Sequence, residues 1–510
     1  MNQIFCENSK IIVDMLNRIL NCMQLKKLYI YSEVKENLDG LYDEVEKIYL
    51  ADVQYKVYEG LIYINIESTE SLIKIIPWLK KNKYQVEILL YISDNDNKDK
   101  NDKILEQAYN LEKISPLNGQ IYLFGKIFEY PGKLEVAVDF KVLAIIHTYN
   151  EADIISKTMT YILEQGLDIY LVDNWSDDGT FEIAQNIYDR FPQRVYLERF
   201  PEDGQTQYYE WYHQLKRTED ISKNMPYDWF IHYDADEMRI SPWRNVTLLQ
   251  AIYWIDTLGY NLIENTVIDF KLTENNNDEN IFMKDVYFDF GHKETHFMQT
   301  KSWKKTEYIN IKDSGGHIAK VPNPKLYPLK ILNRHYPFRS LKHAQKKVFM
   351  DRRPRFEKER KERGWHGHYD FVQKNQDLII ESDKLIKWNE NTFYDYYIPL
   401  FLGCGIIVLE NNKVYDRQFP TLNEKNIVIY GAGNLGRVAY KNYSKYCNIV
   451  GWVDQNYKFI PNIYCETILS ADKILDMDYD YIFIAVENDV IRKEIQDELN
   501  RRKINNKKIL

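Results

Sequence analysis

Cysteine is scarce in this sequence: Cys6, Cys22, Cys404, Cys447 and Cys465 are the only five among 510 residues. No two stand at the spacing of a thiolate metal pair, which leaves no sequence-encoded zinc finger. An odd number in so long a chain also argues for a reducing compartment rather than a disulfide framework. Long apolar runs are missing as well. The longest, Tyr396 to Leu409 (YYIPLFLGCGIIVL), is broken by Pro399, Gly403 and Gly405 and falls short of the ~20 residues of a spanning helix. It reads as a buried strand-turn-strand, with an interfacial dip into a membrane as the minor alternative. The opening MNQIFCENSK has no basic segment followed by an apolar run and a small-residue cleavage site. A cytoplasmic location is expected, with the inner face of a membrane and peripheral association left open. Positive charge is not in excess: 67 Lys and Arg against 76 Asp and Glu give a formal net charge of −9. That balance argues against a nucleic-acid partner.

What is present is apolar material for several cores, 45% of residues, so the chain is expected to fold throughout rather than remain disordered. Its length suggests roughly three domains. Tyrosine is used 41 times; together with abundant lysine this is the usage of an AT-rich bacterial coding sequence, although tyrosine also suits sugar recognition. Residues 1–138 alternate β-rich runs (KLYIYS, GLIYINI, VEILLYI) with helical stretches such as Glu70 to Lys81, the alternation of an α/β layer. A second region, 139–415, opens with KVLAIIHTYNEAD, and a third, 420–510, with NIVIYGAGNLGR. The order of features after Tyr58 is repeated after Tyr479, so the first region is read as a degenerate relative of the third.

In the middle region three apolar strands each end in polar groups, which is how a parallel sheet presents side chains to a ligand at its carboxyl edge. The first, VLAIIHTYNEAD, ends at Thr148, Asn150 and Glu151; the second, DIYLVDNWSDDGT, ends at Asp173, Asn174, Asp177 and Asp178. Acids and amides there suit a nucleoside, although the same residues also make turns and caps. The third, YDWFIHYDADEMRISPW, ends in Asp234-Ala235-Asp236-Glu237. Carboxylates at i and i+2 of an extended segment share a face and suit Mn²⁺ or Mg²⁺ with diphosphate oxygens. Ser241-Pro242 then looks like the start of a helix.

The order TYNEAD, VDNWSDDGT, DADE resembles the family 2 glycosyltransferases, in particular a branch in which HYPFRS, Lys347 and an arginine-rich helix follow. The resemblance covers about half the chain, Lys141 to roughly Asp370. It implies a GT-A nucleotide-diphospho-sugar transferase core, so the fold class expected for the whole chain is α/β, with that core flanked by Rossmann-like α/β domains. It implies a nucleotide-sugar donor, a UDP-sugar first among them, and a polysaccharide, glycolipid or protein acceptor, with inversion at the anomeric carbon. By it Thr148, Asn150, Glu151, Asp173 and Asn174 hold the nucleoside, and Asp234 and Asp236 hold ribose, diphosphate and metal. His317 and His335 become candidate further metal ligands, and Arg339, Lys347, Arg352 and Arg353 candidate diphosphate clamps. A solvated basic helix from Leu341 to Arg363 is the plainer reading for most of those charges. Many relatives have two adjacent acids where this chain has Asp173-Asn174, which leaves the identity of the base open.

Inversion requires a base for the acceptor hydroxyl. Glu237, Glu264, Asp269, Glu294 and Asp313 are all candidates; Asp313, in the glycine-containing KDSGGH loop, is favoured, with Glu237 beside the metal motif. The aromatic segments QTQYYEW and WHGHYD are candidate acceptor contacts. In the third region Gly431-x-Gly433-x-x-Gly436 follows a strand directly and Asp454 ends the next, the spacing of a nucleotide-binding turn and its ribose acid. About ninety residues are too few for a dehydrogenase, so a binding, regulatory or assembly module is expected. The competing readings are a non-catalytic scaffold with a degenerate transferase core and a nucleotidyltransferase. The latter lacks its usual glycine- and basic-rich phosphate loop here. Oligomeric state is left open.

Overall fold

The computed structural model describes residues 12–13, 15–33, 38, 41, 45–51, 60–82, 86–92, 100–101, 103–105, 120–131, 134–243, 245–274, 287–289, 298–359, 378–382, 385–388, 406–410, 413–417, 425–444, 447–460, 467–486, 489–504 and 508–509. Two compact units are present: residues 1–355 with 374–414, and residues 356–373 with 415–510. The first two regions expected from sequence thus share one unit.

The first unit contains two sheets. The smaller has β1 (Lys27–Ser32), β2 (Glu46–Tyr49), β3 (Leu61–Ile66), β4 (Glu87–Ile92) and β5 (Gln120–Phe124) in the order β2-β1-β3-β4-β5. All its pairings are parallel except β4 with β5. Helix α1 (Thr69–Asn82) supplies Leu72, Ile75 and Leu79 to its core.

The larger sheet carries the three strands read from sequence. These are β6 (Val142–Thr148), β7 (Asp168–Asp173) and β9 (Trp229–Asp234), with β8 (Val195–Arg199) at one end. They lie parallel in the order β9-β6-β7-β8. Every residue of β6 is buried, as a strand covered on both faces requires. Between them run α2 (Ile155–Glu164), α3 (Thr180–Arg190) and α4 (Trp211–Asn224). Helix α2 buries Ile155, Met159 and Ile162 on one face and ends before Gly166, whose φ of +84° only glycine adopts without strain.

Beyond β9 the sheet continues through β10 (Glu237–Ile240), β11 (Leu262–Phe270), β13 (Met298–Lys304) and β14 (Ile331–His335) in the order β10-β14-β11-β13-β9. The short strand β12 (Tyr287–Asp289) pairs antiparallel with the last residues of β11, and β15 (Ile386–Lys387) pairs with β12. Ser241-Pro242 does not start a helix. Ala235 and Asp236 form a two-residue turn straight into β10, and the next helix, α5 (Leu248–Thr257), starts at Thr247 with a reciprocal Thr247–Gln250 cap. One core joins Leu143, Ile145, Phe230 and Trp303 of the sheet to Leu215 and Ile221 of α4. The N-terminal part is tied on by Arg18, which pairs with Glu264 and donates to Pro328 O at 2.5 Å. Trp243 Nε1 donates to Phe128 O at 2.8 Å.

After a hairpin of β16 (Ile406–Glu410) and β17 (Lys413–Arg417), the second unit has β18 (Asn426–Tyr430), β19 (Asn448–Val453) and β20 (Tyr481–Ile484). They are parallel in the order β19-β18-β20. Of the apolar run from Tyr396 only β16 lies within the described residues. Among the described residues no helix is long and apolar enough to cross a membrane.

Candidate functional site

Strand register places the sequence motifs at one edge. His147 pairs with Asp234 across β6 and β9, and Thr148 with Asp173 across β6 and β7. Two groups of side chains form there.

The first is a knot of loops after β6 and β7. Thr148 Oγ1 donates to Asp173 Oδ1 at 3.1 Å, and Ser176 reaches the same carboxylate from N at 3.0 Å and Oγ at 2.5 Å. Burial pushes the Asp173 carboxyl up against these bonds. Asn174 donates from Nδ2 to Phe200 O and accepts at Oδ1 from Arg355 Nη2, both at 2.9 Å. Asn150, at φ +56°, accepts from Asp177 N at 3.1 Å and donates to Asp351 Oδ1 at 3.3 Å. The residues expected to bind a nucleoside therefore spend much of their hydrogen-bonding capacity shaping the loop. The Arg355 guanidinium lies 4.2 Å from the Tyr149 ring centroid; an acid at 174 could accept from Arg355 but could not donate to the Phe200 carbonyl as the amide does.

The second is a buried charge network. Lys301 Nζ lies 2.6 Å from Asp234 Oδ2 and 3.0 Å from Glu237 Oε1, and Arg239 Nη2 lies 3.0 Å from Glu237 Oε2. Lys347 Nζ lies 2.7 Å from Asp236 Oδ2 and 3.4 Å from Glu151 Oε1. Arg339 reaches Glu151 at 2.6 Å and Asp153 at 2.7 Å, and Arg352 reaches Glu151 at 3.2 Å. Burial by itself would keep these acids neutral, but the cations outweigh it. Lys301 holds Asp234, Lys347 and His335 hold Asp236, and Lys347 and Arg339 hold Glu151 below the usual carboxylate range. Over its described residues, 341–359, the expected solvated basic helix is not what forms. Residues Lys346–Arg352 are π-helical, between short α-helical pieces Leu341–Gln345 and Arg353–Arg355. That widened turn brings Lys347, Asp351 and Arg352 to one inward face. The Arg353 guanidinium lies 4.7 Å from the Phe349 ring centroid.

His335 Nδ1 lies 2.7 Å from Asp269 Oδ1, and Nε2 lies 3.6 Å from Asp236 Oδ1. Burial works against its charge, but Asp236 and Asp269 prevail and hold the imidazolium up to about 10. A folded pKa above the ordinary 6.5 means the stabilisation is complete below that pH and lost as pH rises through the folded value. Denaturation midpoints measured between about pH 7 and pH 11 should fall with pH, and His335→Gln should flatten that slope.

Asp234, Asp236, His317 and His335 do not fit one divalent ion as arranged. Among the described residues they do not bring three ligand atoms within 4.8 Å of one another. Lys301 and Lys347 stand on the Asp pair, His335 lies between Asp236 and Asp269, and His317 Nδ1 meets Gln299 Nε2 at 3.3 Å. The acid–histidine group that does converge, Glu151, Asp153 and His343, is filled by the Arg339 guanidinium, 2.6 Å from His343 Nε2.

The base candidates separate clearly. Glu237 is locked by Lys301 and Arg239, and Asp269 by His335 and Lys271. Glu264 is fully buried between Arg18 and Lys330. Asp313 is exposed, accepting from Asn310 Nδ2 at 2.7 Å. The far end of its loop comes close to the charge network: a Cβ on Gly316 would lie 3.1 Å from His232 Nε2, and His232 is 4.0 Å from Asp234. Burial keeps His232 and His147 neutral, His147 at about 4. Trp211, from the expected aromatic segment, packs on both rings and donates to Gly315 O at 2.9 Å. Glu294 and the WHGHYD segment lie outside the described residues.

Lys301, Arg239, His232 and Arg355 escaped the sequence reading. For Lys301 the signal was a lysine two residues before Trp303 in a β run, hence on the face of a buried aromatic.

In the second unit Gly431 has φ +113°, and a Cβ on Gly436 would meet Gly431 O at 1.9 Å, so the helix from Asn434 packs directly on the turn. Asp454, expected as a ribose acid, accepts at Oδ2 from Ala432 N at 2.8 Å and at Oδ1 from Asn456 N at 2.7 Å. Its carboxylate braces the glycine turn.

The family model of glycosyl transferase family 2 matches residues 143–207, the segment that runs from β6 past β8. The model described as C2185-like, N-terminal, matches residues 423–510. No curated protein matches. Among solved structures, the mannosyltransferase PcManGT from Pyrobaculum calidifontis in complex with GDP-Man and Mn²⁺ is similar at 23% identity, with a TM-score of 0.20. That match covers 28% of this chain and 39% of the other, less than half of the solved relative. The family 2 match and the α/β core together support a glycosyltransferase in general terms.

Proposed function

We propose that the first unit moves a glycosyl group from a nucleoside-diphosphate sugar to a hydroxyl of a glycan, lipid-linked or protein acceptor, with inversion. The observation that carries the reading is the set of ionised acids at the ends of adjacent parallel strands, each met by a buried cation. A buried, prearranged charged edge of this kind carries a desolvation cost in the free protein, which a site for a charged ligand would explain. In the displacement the acceptor oxygen bonds to the anomeric carbon as the bond to the diphosphate breaks. The hydroxyl proton passes to a carboxylate, and the electron pair leaves with the nucleoside diphosphate. Asp313 is the base we assign, because the other described candidates are held in ion pairs. A UDP-sugar is the first donor to test.

Incubation with UDP- and GDP-sugars, followed by NMR of donor hydrolysis and of product anomeric configuration, tests the reading. Asp313→Asn should lower turnover by about 10²–10⁴-fold and leave nucleotide affinity unchanged. Unaltered turnover would move the base elsewhere, and absence of hydrolysis with every donor would favour a non-catalytic scaffold.

A further inference from the structure

We propose that Lys301 occupies the position a divalent ion would take at Asp234, so that donor diphosphate binding at this edge needs no added metal. This inference rests on the nucleotide-sugar reading above. Lys301 is 1% exposed in its side chain and donates to two acids, Asp234 at 2.6 Å and Glu237 at 3.0 Å. It comes from β13, on the far side of β9 from β6, so the sheet itself holds it there. A lysine ammonium has three N–H groups, and these two acids use two of them. Asp234, the partner, is the open side of the pair, with a third of its side chain exposed. Lys347 is matched to Asp236 in the same way at 2.7 Å.

A dication taking Asp234 Oδ2 would have to displace a buried ammonium that could not follow it into water. The evicted lysine would keep only Glu237, itself already paired with Arg239 at 3.0 Å. Breaking a buried pair leaves an uncompensated charge, whereas a diphosphate oxygen can add to the existing lysine without breaking anything. The Asp-Ala-Asp segment thus acts as a seat for two lysines. The positive charge that meets the diphosphate is part of the chain.

The test is calorimetric titration of the full chain with UDP and with GDP, in EDTA and in Mn²⁺, alongside the Mn²⁺ EPR spectrum of the protein. For the bound nucleotide we expect dissociation constants within about threefold in the two media and an EPR spectrum of free Mn²⁺. Lys301→Met should turn the site over. With Asp234 released, Mn²⁺ should raise nucleotide affinity by about tenfold or more and its EPR signal should broaden. Lys301→Arg, which keeps the charge, should retain binding in EDTA. Wild-type binding that appears only with Mn²⁺, and is lost in Asp234→Asn, would overturn the lysine assignment while leaving the donor site standing. No nucleotide binding by folded wild type in either medium would overturn both. If Lys301→Met does not fold, the wild-type comparison still decides.

Discussion

Asp236→Asn should abolish glycosyl transfer and destabilise the first unit by roughly 3–5 kcal/mol, the cost of removing one partner from a buried ion pair. The carboxylate faces Lys347 at 2.7 Å, His335 at 3.6 Å and Arg339 at 3.8 Å. An amide is the same size but neutral, so three cations lose a shared counter-charge without any change in packing. Glu151 then has to serve Lys347 and Arg352, and shares Arg339 with Asp153. The effect should be read as a lower denaturant midpoint with an unchanged slope, together with loss of turnover in protein that is still folded. A variant as stable as wild type would mean that the network relaxes around the amide, and the pairing would then be weaker than its distances suggest.

A comparable loss, again roughly 3–5 kcal/mol, is expected from Arg18→Met, far from any proposed chemistry. Arg18, Glu264 and Lys330 all have fully buried side chains. Arg18 also donates to the carbonyls of Pro328 and Tyr327. Methionine fills much of the volume but leaves Glu264 with Lys330 alone, 3.3 Å away, and two carbonyls without their donor. Nucleotide affinity and turnover per folded molecule should be unchanged, and the turnover separates this variant from Asp236→Asn. A loss of affinity matching the loss of stability would show that the helical residues 15–22 shape the donor edge and do more than anchor the N-terminal part.

The first unit shows how far sequence reasoning reaches. The strands β6, β7 and β9 and their polar ends were legible because each is a local event: an unbroken apolar run, then acids, amides and a glycine. Helix α2 was legible for the same reason, with its apolar spacing and its stop at Gly166. The partners of those polar ends were not. Lys301 meets Asp234 across 67 residues, Lys347 meets Asp236 across 111, and Arg339 meets Glu151 across 188. Nothing in the composition of LKHAQKKVFMDRR distinguishes a solvated basic helix from an inward one. The π-helical turn decided it by rotating Lys347 and Arg352 onto the acids.

The sequence by itself determined the order of the motifs, the α/β class of the core and the acidic ends of three strands, because strand and turn formation depends on neighbours along the chain. The tertiary structure alone decided which cation stands on which acid. Through that pairing it decided that Asp234 and Asp236 are neutralised from within the chain, that Asn174 is an anchor for Arg355, and that Asp454 braces its own loop. Charge at a buried site is set by whatever packing brings within a few ångströms, and sequence distance carries no record of that.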